Sequence, residues 1–96
     1  MTPSVRREIL ERLRRGPATL RELSRELGLR ERETAEHLGH AARSLRQGET
    51  LAEVPAECRG CGFRFRKRER LTTPGRCPRC RSERIRPAVF RVESAS

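Results

Sequence analysis

Four cysteines constrain this chain more than anything else in it. They stand as Cys58-Arg-Gly-Cys61 and Cys77-Pro-Arg-Cys80, two Cys-x-x-Cys pairs separated by fifteen residues, with no cysteine left over. That spacing is the one expected of a four-thiolate zinc site. A tetrahedral ion with metal–sulfur bonds of about 2.3 Å must draw two sulfurs from one tight turn and two from another. Two intervening residues let one turn present both of its sulfurs to one ion. Gly62 follows the first pair, where a chain leaving such a turn often needs a positive φ, which glycine adopts at no steric cost. Pro78 stiffens the second turn. Arg81 stands where the first pair has its glycine, so the two turns are expected to differ.

Other uses of the quartet are weaker readings. Two disulfides would call for an oxidising compartment, and no secretory signal is visible. A thioredoxin-like redox pair belongs near a βαβ pattern, and none exists here. Iron stays a rival, because rubredoxin-type sites use the same two pairs and thiolate geometry alone does not separate the metals. Zinc is the favoured ion. Four cysteine ligands leave no open position, so the expected role of a single ion is structural.

The chain can build only a modest core. It has 96 residues, a third of them apolar, three Phe and no Trp or Tyr. A structural zinc contributes on the order of 10–16 kcal/mol to folding, which rivals the whole stability of an ordinary domain at roughly 5–15 kcal/mol. The cysteine-bearing part is therefore expected to fold only with its metal.

Charge is unevenly distributed. The net charge is +10, which points to a polyanionic partner. Residues 1–54 hold eleven Arg against nine Glu, whereas residues 55–96 hold twelve Arg or Lys against four Glu. A four-thiolate zinc site contributes about −2 and leaves the second half near +6. The basic character thus lives with the metal site. Arg outnumbers Lys twenty-two to one and Asp and Asn are absent, which we read as nucleotide bias rather than as a binding signature. No apolar run approaches the ~20 residues of a membrane span. With no targeting segment visible, a cytoplasmic protein with no membrane partner is expected.

Along the chain, residues 3–15 read as a first helix, with Thr2 or Ser4 as cap, Pro3 in the first turn and Val5, Ile9, Leu10 and Leu13 on its inner face. Gly16-Pro17 ends it. Thr19-Leu-Arg-Glu22 is a capping-box pattern. It opens a short second helix over about 19–27, with Leu20, Leu23 and Leu27 inward and Gly28 as the stop. A third helix is expected from Arg30 to Gln47, with Ala35, Leu38, Ala42 and Leu45 on its inner face. Gly39 sits inside it, where it costs about 1 kcal/mol relative to Ala, and is expected to admit a neighbouring helix. Gly48 ends the helical part.

Three helices, with a two- or three-residue turn between the second and third, form a helix-turn-helix pattern. Residues Ala18 to Leu38 are similar to prokaryotic winged-helix regulators in the capped short helix, the Leu27-Gly-Leu29 turn and the longer helix with Ala35 and Leu38. After Gly48 the periodicity changes. Leu51-Ala-Glu-Val-Pro-Ala-Glu57 and Ile85-Arg-Pro-Ala-Val-Phe-Arg-Val92 read as strands. Residues ~50–56 and ~86–93 are expected to pair as the two strands of a β wing, with the ribbon of about 57–85 inserted at its tip. In the ribbon, Phe63-Arg-Phe-Arg66 alternates, so that Phe63 and Phe65, with Leu71 and Ile85, would make a small core beside the metal.

The whole chain, over about residues 4–93, resembles a small family of archaeal and bacterial predicted transcriptional regulators in which a winged helix-turn-helix is fused to a rubredoxin-like zinc ribbon. Cys58-Arg-Gly-Cys61-Gly-Phe, Cys77-Pro-Arg-Cys80, Val54-Pro-Ala and Arg86-Pro-Ala-Val-Phe carry the match. The implied fold class is α+β. Residues 1–49 would form the three-helix core and 50–93 the wing with its ribbon. The implied role is binding of double-stranded DNA.

Candidate DNA contacts fall in two groups. The ribbon run Arg64, Arg66, Lys67, Arg68 and Arg70 would neutralise phosphates, giving salt-sensitive affinity with little sequence information. On the third helix, Arg32, Arg43 and Gln47 would reach bases or backbone, and Arg30 a phosphate. That helix also presents Glu33 and Glu36 with His40 and Ser44 on its outer side. A solvated face of Glu/Arg pairs is an equal reading, and docking on a protein partner is the alternative function. His37 and His40 read as ordinary surface histidines. No catalytic triad, phosphate loop or carboxylate pair stands out, so an enzyme is not expected. With no spare helix for dimerisation, a monomer or weak homodimer is expected.

Overall fold

The computed structural model describes residues 4–65 and 72–94. Thr2, Pro3, Leu71 and the candidate contacts Arg66, Lys67, Arg68 and Arg70 lie outside the described residues.

Helix α1 spans Val5–Arg15, with Ser4 at its N-cap and no side-chain capping bond. Its inner face buries Ile9, Leu10 and Leu13. Strand β1 is the two residues Ala18–Thr19. Helix α2 spans Leu20–Leu27 behind the expected capping box: the Glu22 N–H donates to Thr19 Oγ1 (3.2 Å) and the Thr19 N–H to Glu22 Oε1 (3.0 Å). These two bonds satisfy donors that a helix start leaves orphaned. Gly28 closes α2 at φ 69°, and the Leu29 N–H returns to the Ser24 carbonyl at 2.9 Å.

Helix α3 spans Glu31–Ala41, followed by one 3-10 turn at Ala42–Ser44. It is shorter than its sequence implies. Leu45 is extended at φ −66° and ψ 147°. The reason lies at Arg46. In a continuing helix its N–H would bond the carbonyl four residues back. Here it donates to Glu49 Oε1 (2.8 Å), and the Glu49 N–H donates to the Arg46 carbonyl (3.0 Å), closing a turn instead. The inner face of α3 is correspondingly Thr34, Leu38 and Ala41, with Ala35 half-buried, while Ala42 is exposed. Thr34 is wholly buried because its hydroxyl donates to the Arg30 carbonyl at 2.9 Å, which satisfies it without a polar neighbour. Gly39 is exposed, and a Cβ there would meet nothing within 4 Å, so among the described residues no helix packs on it.

The later strands are β2 (Glu49–Val54), β3 (Ala56–Cys58), β4 (Arg64–Phe65), β5 (Ile85–Arg86) and β6 (Val89–Ser94). Among the described residues they form two three-stranded antiparallel sheets, ordered β1-β6-β2 and β4-β3-β5. β2 and β6 pair antiparallel from Glu49 opposite Ser94 to Val54 opposite Val89, and the cysteine-bearing segment falls between them in sequence.

The two sheets share one register. Val54 stands opposite Val89 in the first sheet. Three residues further along each strand, Glu57 stands opposite Arg86 in the second. The intervening residues are Pro55 and Ala56 on one strand and Pro87 and Ala88 on the other. Proline has no N–H to donate to a ladder. The antiparallel pair is therefore interrupted at the prolines and resumes without a slip.

The core collects Ile9, Leu13, Ala18, Leu20, Leu23, Leu38 and Phe90, with Val5, Leu27, Ala35, Leu51, Ala88 and Val92 packed against it. Phe90 belongs there because β6 is the central strand of its sheet. Among the described residues, none between 55 and 86 joins this cluster. The ribbon must hold itself together by other means. Among the described residues, no helix is long and apolar enough to cross a membrane.

Candidate metal centre

Each cysteine pair sits on a turn closed in the same way. In the first turn the Cys58 N–H donates to the Phe63 carbonyl (2.8 Å), the Gly62 N–H to the Cys58 carbonyl (2.9 Å) and the Gly60 N–H to Cys58 Sγ (3.3 Å). In the second, the Cys77 N–H donates to the Ser82 carbonyl (2.8 Å), the Arg81 N–H to the Cys77 carbonyl (2.9 Å) and the Arg79 N–H to Cys77 Sγ (3.4 Å). The turns are copies, contrary to the expectation from Arg81. Gly62 has φ 81° and Arg81 has φ 63°, so the arginine adopts the left-handed conformation that glycine adopts in the other turn.

The turns bring the four sulfurs together. All four Sγ atoms lie within 4.8 Å of one another. Cys58 and Cys80 sulfurs are 3.4 Å apart, and those of Cys61 and Cys77 are 3.6 Å apart. A tetrahedron with metal–sulfur bonds of about 2.3 Å has edges of about 3.8 Å. The cluster fits that figure, and all four cysteines are free of disulfides. Cys58 and Cys77 are buried while Cys61 and Cys80 are exposed.

The electrostatics also call for a cation. Burial opposes ionisation of Cys58, but the N–H groups of Cys61 and Gly60 outweigh it and hold its pKa at about 6. The Phe63 N–H favours the Cys61 thiolate, yet partial desolvation of the sulfur within the cluster and the sulfurs of Cys77, Cys80 and Cys58 push that thiol up to about 12. Cys77 follows Cys58 downward: burial resists, and the N–H groups of Cys80 and Arg79 win. Cys80 goes up: the Ser82 N–H is overcome by the neighbouring Cys58 sulfur and by partial desolvation of its own sulfur within the cluster. Four thiolates this close repel one another, and a divalent ion at their centre removes that repulsion.

Around the metal turns the side chains are mostly cationic. Glu57 on β3 sits between Arg86 and Arg64, its cross-strand partners on either side. Arg86 donates to its carboxylate at 2.8 Å, while the Arg64 guanidinium stands 4.0 Å off. Arg76 lies 3.6 Å from Glu83. Phe63 and Phe65 meet edge to face with centroids 5.0 Å apart, and both are half-buried, as is Ile85.

The candidate DNA contacts are scattered. Arg30 is the N-cap of α3 and Arg32 lies in its first turn. Arg43 lies in the 3-10 turn and Gln47 in the turn beyond it. All four are exposed, but the length of α3, about 16 Å for eleven residues, separates the first two from the last two. Gln47 is not on a helix. Within α3 itself, exposed Glu31, Glu33 and Glu36 outnumber Arg32. On and beside the metal turns stand four further exposed arginines, Arg59, Arg79, Arg81 and Arg84, which the sequence reading did not single out. Their signal was proximity to the cysteines, which reads as spacing rather than as surface.

Residues 4–52 match the PF0610-like N-terminal family, and residues 55–95 match the PF0610 rubredoxin-like zinc beta-ribbon domain. Among solved structures the chain is similar to protein PF0610 from Pyrococcus furiosus, determined by solution NMR. The two are 33% identical over 97% of this chain and 93% of that one, with a TM-score of 0.74. No curated protein matches the chain.

Proposed function

The chain belongs to the PF0610-like family, and we propose that it binds double-stranded DNA as a transcriptional regulator stiffened by one structural zinc ion. In this reading α2, the turn Gly28–Arg30 and α3 are a helix-turn-helix, and β2 with β6 is its wing. The ribbon extends the wing, and Cys58, Cys61, Cys77 and Cys80 hold the zinc. Four protein thiolates leave the ion no open position, which supports a structural role and a binding protein rather than an enzyme.

One observation carries the reading. The strand pair that follows the helices continues in register into a second sheet beside the cysteine cluster, and the half of the chain bearing it has twelve basic residues against four acidic ones. A basic surface built on paired strands suits a phosphate backbone better than a loose charged tail does. Arg64 and the run Arg66, Lys67, Arg68 and Arg70 supply part of that charge.

The acidic outer side of α3 favours a second reading, in which that helix docks on a protein partner. Fluorescence anisotropy of zinc-loaded protein on mixed-sequence duplex, at about 50 and 200 mM salt, separates the two. Tight binding that falls steeply with salt is expected. Absence of binding at the lower salt by folded, metal-loaded protein would overturn the DNA reading in favour of the protein partner.

A further inference from the structure

We propose that Arg59, Arg79, Arg81 and Arg84, carried on and beside the two metal-holding turns, form a binding site for the phosphates of duplex DNA. The inference rests on the DNA-binding reading and places its main phosphate contact at the metal end of the molecule rather than on α3.

The other described arginines of the ribbon have acidic neighbours: Arg64 and Arg86 share Glu57, and Arg76 faces Glu83. Arg59, Arg79, Arg81 and Arg84 are exposed and have no acidic partner among the described residues. Their backbones are tied into one unit. The Arg59 N–H donates to the Arg84 carbonyl at 2.8 Å, linking the first turn to the strand after the second. The Arg79 N–H is bound to Cys77 Sγ and the Arg81 N–H to the Cys77 carbonyl. The tips of the turns pack closely, since a Cβ on Gly60 would lie 3.4 Å from the Ser82 Cβ and 3.5 Å from Cys80 Sγ. Fixed backbones leave less entropy to lose when the guanidiniums meet phosphates, and guanidinium geometry matches phosphate oxygens in pairs.

Arg81 adds the most specific argument. The identical turn uses Gly62 at the same place, yet here a bulky side chain is held at φ 63°. That conformation carries a steric cost that glycine avoids. A strained residue of this kind is explained when its side chain has work to do. A guanidinium on the same backbone-tied unit as three other exposed arginines fits a phosphate contact. The helix surface has the opposite sign, with Glu31, Glu33 and Glu36 exposed on α3.

The test measures duplex affinity against salt for zinc-loaded protein and three variants. The first carries Arg59→Gln, Arg79→Gln, Arg81→Gln and Arg84→Gln together. The second carries Arg30→Gln, Arg32→Gln and Arg43→Gln. The third is Arg81→Gly, which relaxes the turn and so cannot lose binding through misfolding. Each contacting arginine removed should flatten the log–log salt slope by about 0.9. The first variant should therefore lose about 3–4 units of slope, Arg81→Gly about 0.9, and the second variant little. Retained slope in the first and third variants, with loss in the second, would overturn the inference and leave the DNA reading standing. Failure of the unaltered protein to bind would overturn both.

Discussion

Gly62 and Arg81 occupy the same place in two copies of one metal-holding turn, and both are left-handed, at φ 81° and 63°. Only the glycine is suited to it. Arg81→Gly should tighten zinc binding by about 1 kcal/mol, roughly fivefold, and Gly62→Ala should weaken it by a similar amount. Competition against a chelator of known affinity measures both. A loss of zinc affinity in Arg81→Gly would show that the arginine is not strained.

Gly39 faces open space within α3. Glycine in an exposed helix interior costs about 0.5–1 kcal/mol relative to alanine. Gly39→Ala should raise stability by that amount, seen as a midpoint several degrees higher, at about 4–8 °C per kcal/mol for a domain of this size. A lower melting midpoint would mean that something does approach this position in the folded protein.

Glu49 joins the first residue of β2 to α1 and to the end of the helical part. It accepts from Arg14 Nε and Nη2, both at 2.8 Å, and from the Arg46 N–H. The Arg14 hydrogen bonds, with the Arg46 N–H, hold its pKa at about 2 against an ordinary 4.5. A carboxyl depressed on folding stabilises above its unfolded pKa and loses that contribution as pH falls through the folded one. The stability gap between the native chain and Glu49→Gln should thus be constant above about pH 5 and shrink between about pH 4.5 and 2. Denaturant titration of both proteins along that range checks it. A gap that does not change with pH would contradict the ion pair.

Removing the metal should unfold the ribbon and spare the helices. Among the described residues, the core cluster draws on α1, α2, α3, β1, β2 and β6 and on nothing between residues 55 and 86. After chelation, amide protection should disappear at Cys58, Arg59 and Cys77 and persist at Leu13, Leu23 and Leu38. Hydrogen exchange resolved by residue measures this. Cooperative loss of protection throughout would show that the shared register couples the two sheets more tightly than their separate cores imply.

The metal site was legible because its information is local: four cysteines, two spacings, no remainder. The capping box at Thr19 and the stop at Gly28 were legible for the same reason. The end of the third helix was not. Leu45 continues a helical apolar spacing, and what opposes it is Glu49, drawn away by Arg14 some thirty-five residues earlier. Thr34 in the core was equally hidden, because its hydroxyl is satisfied by its own helix. The two-residue strand β1 leaves no periodicity to read. Arg81 in a glycine's conformation has no sequence signal, since the closure of the turn by the Cys77 and Ser82 backbones dictates it.

If a metal-shaped basic ribbon grips DNA, removing the metal must cost affinity. The direct measurement is the affinity of one mixed-sequence duplex, at about 50 mM salt, for the zinc-loaded protein, the chelator-stripped protein and the same protein after zinc is restored. Strong binding, a loss of at least about tenfold on stripping, and recovery on reloading are expected. Equal affinity in all three states would contradict it, because the ribbon's charge would then act without the metal that shapes it.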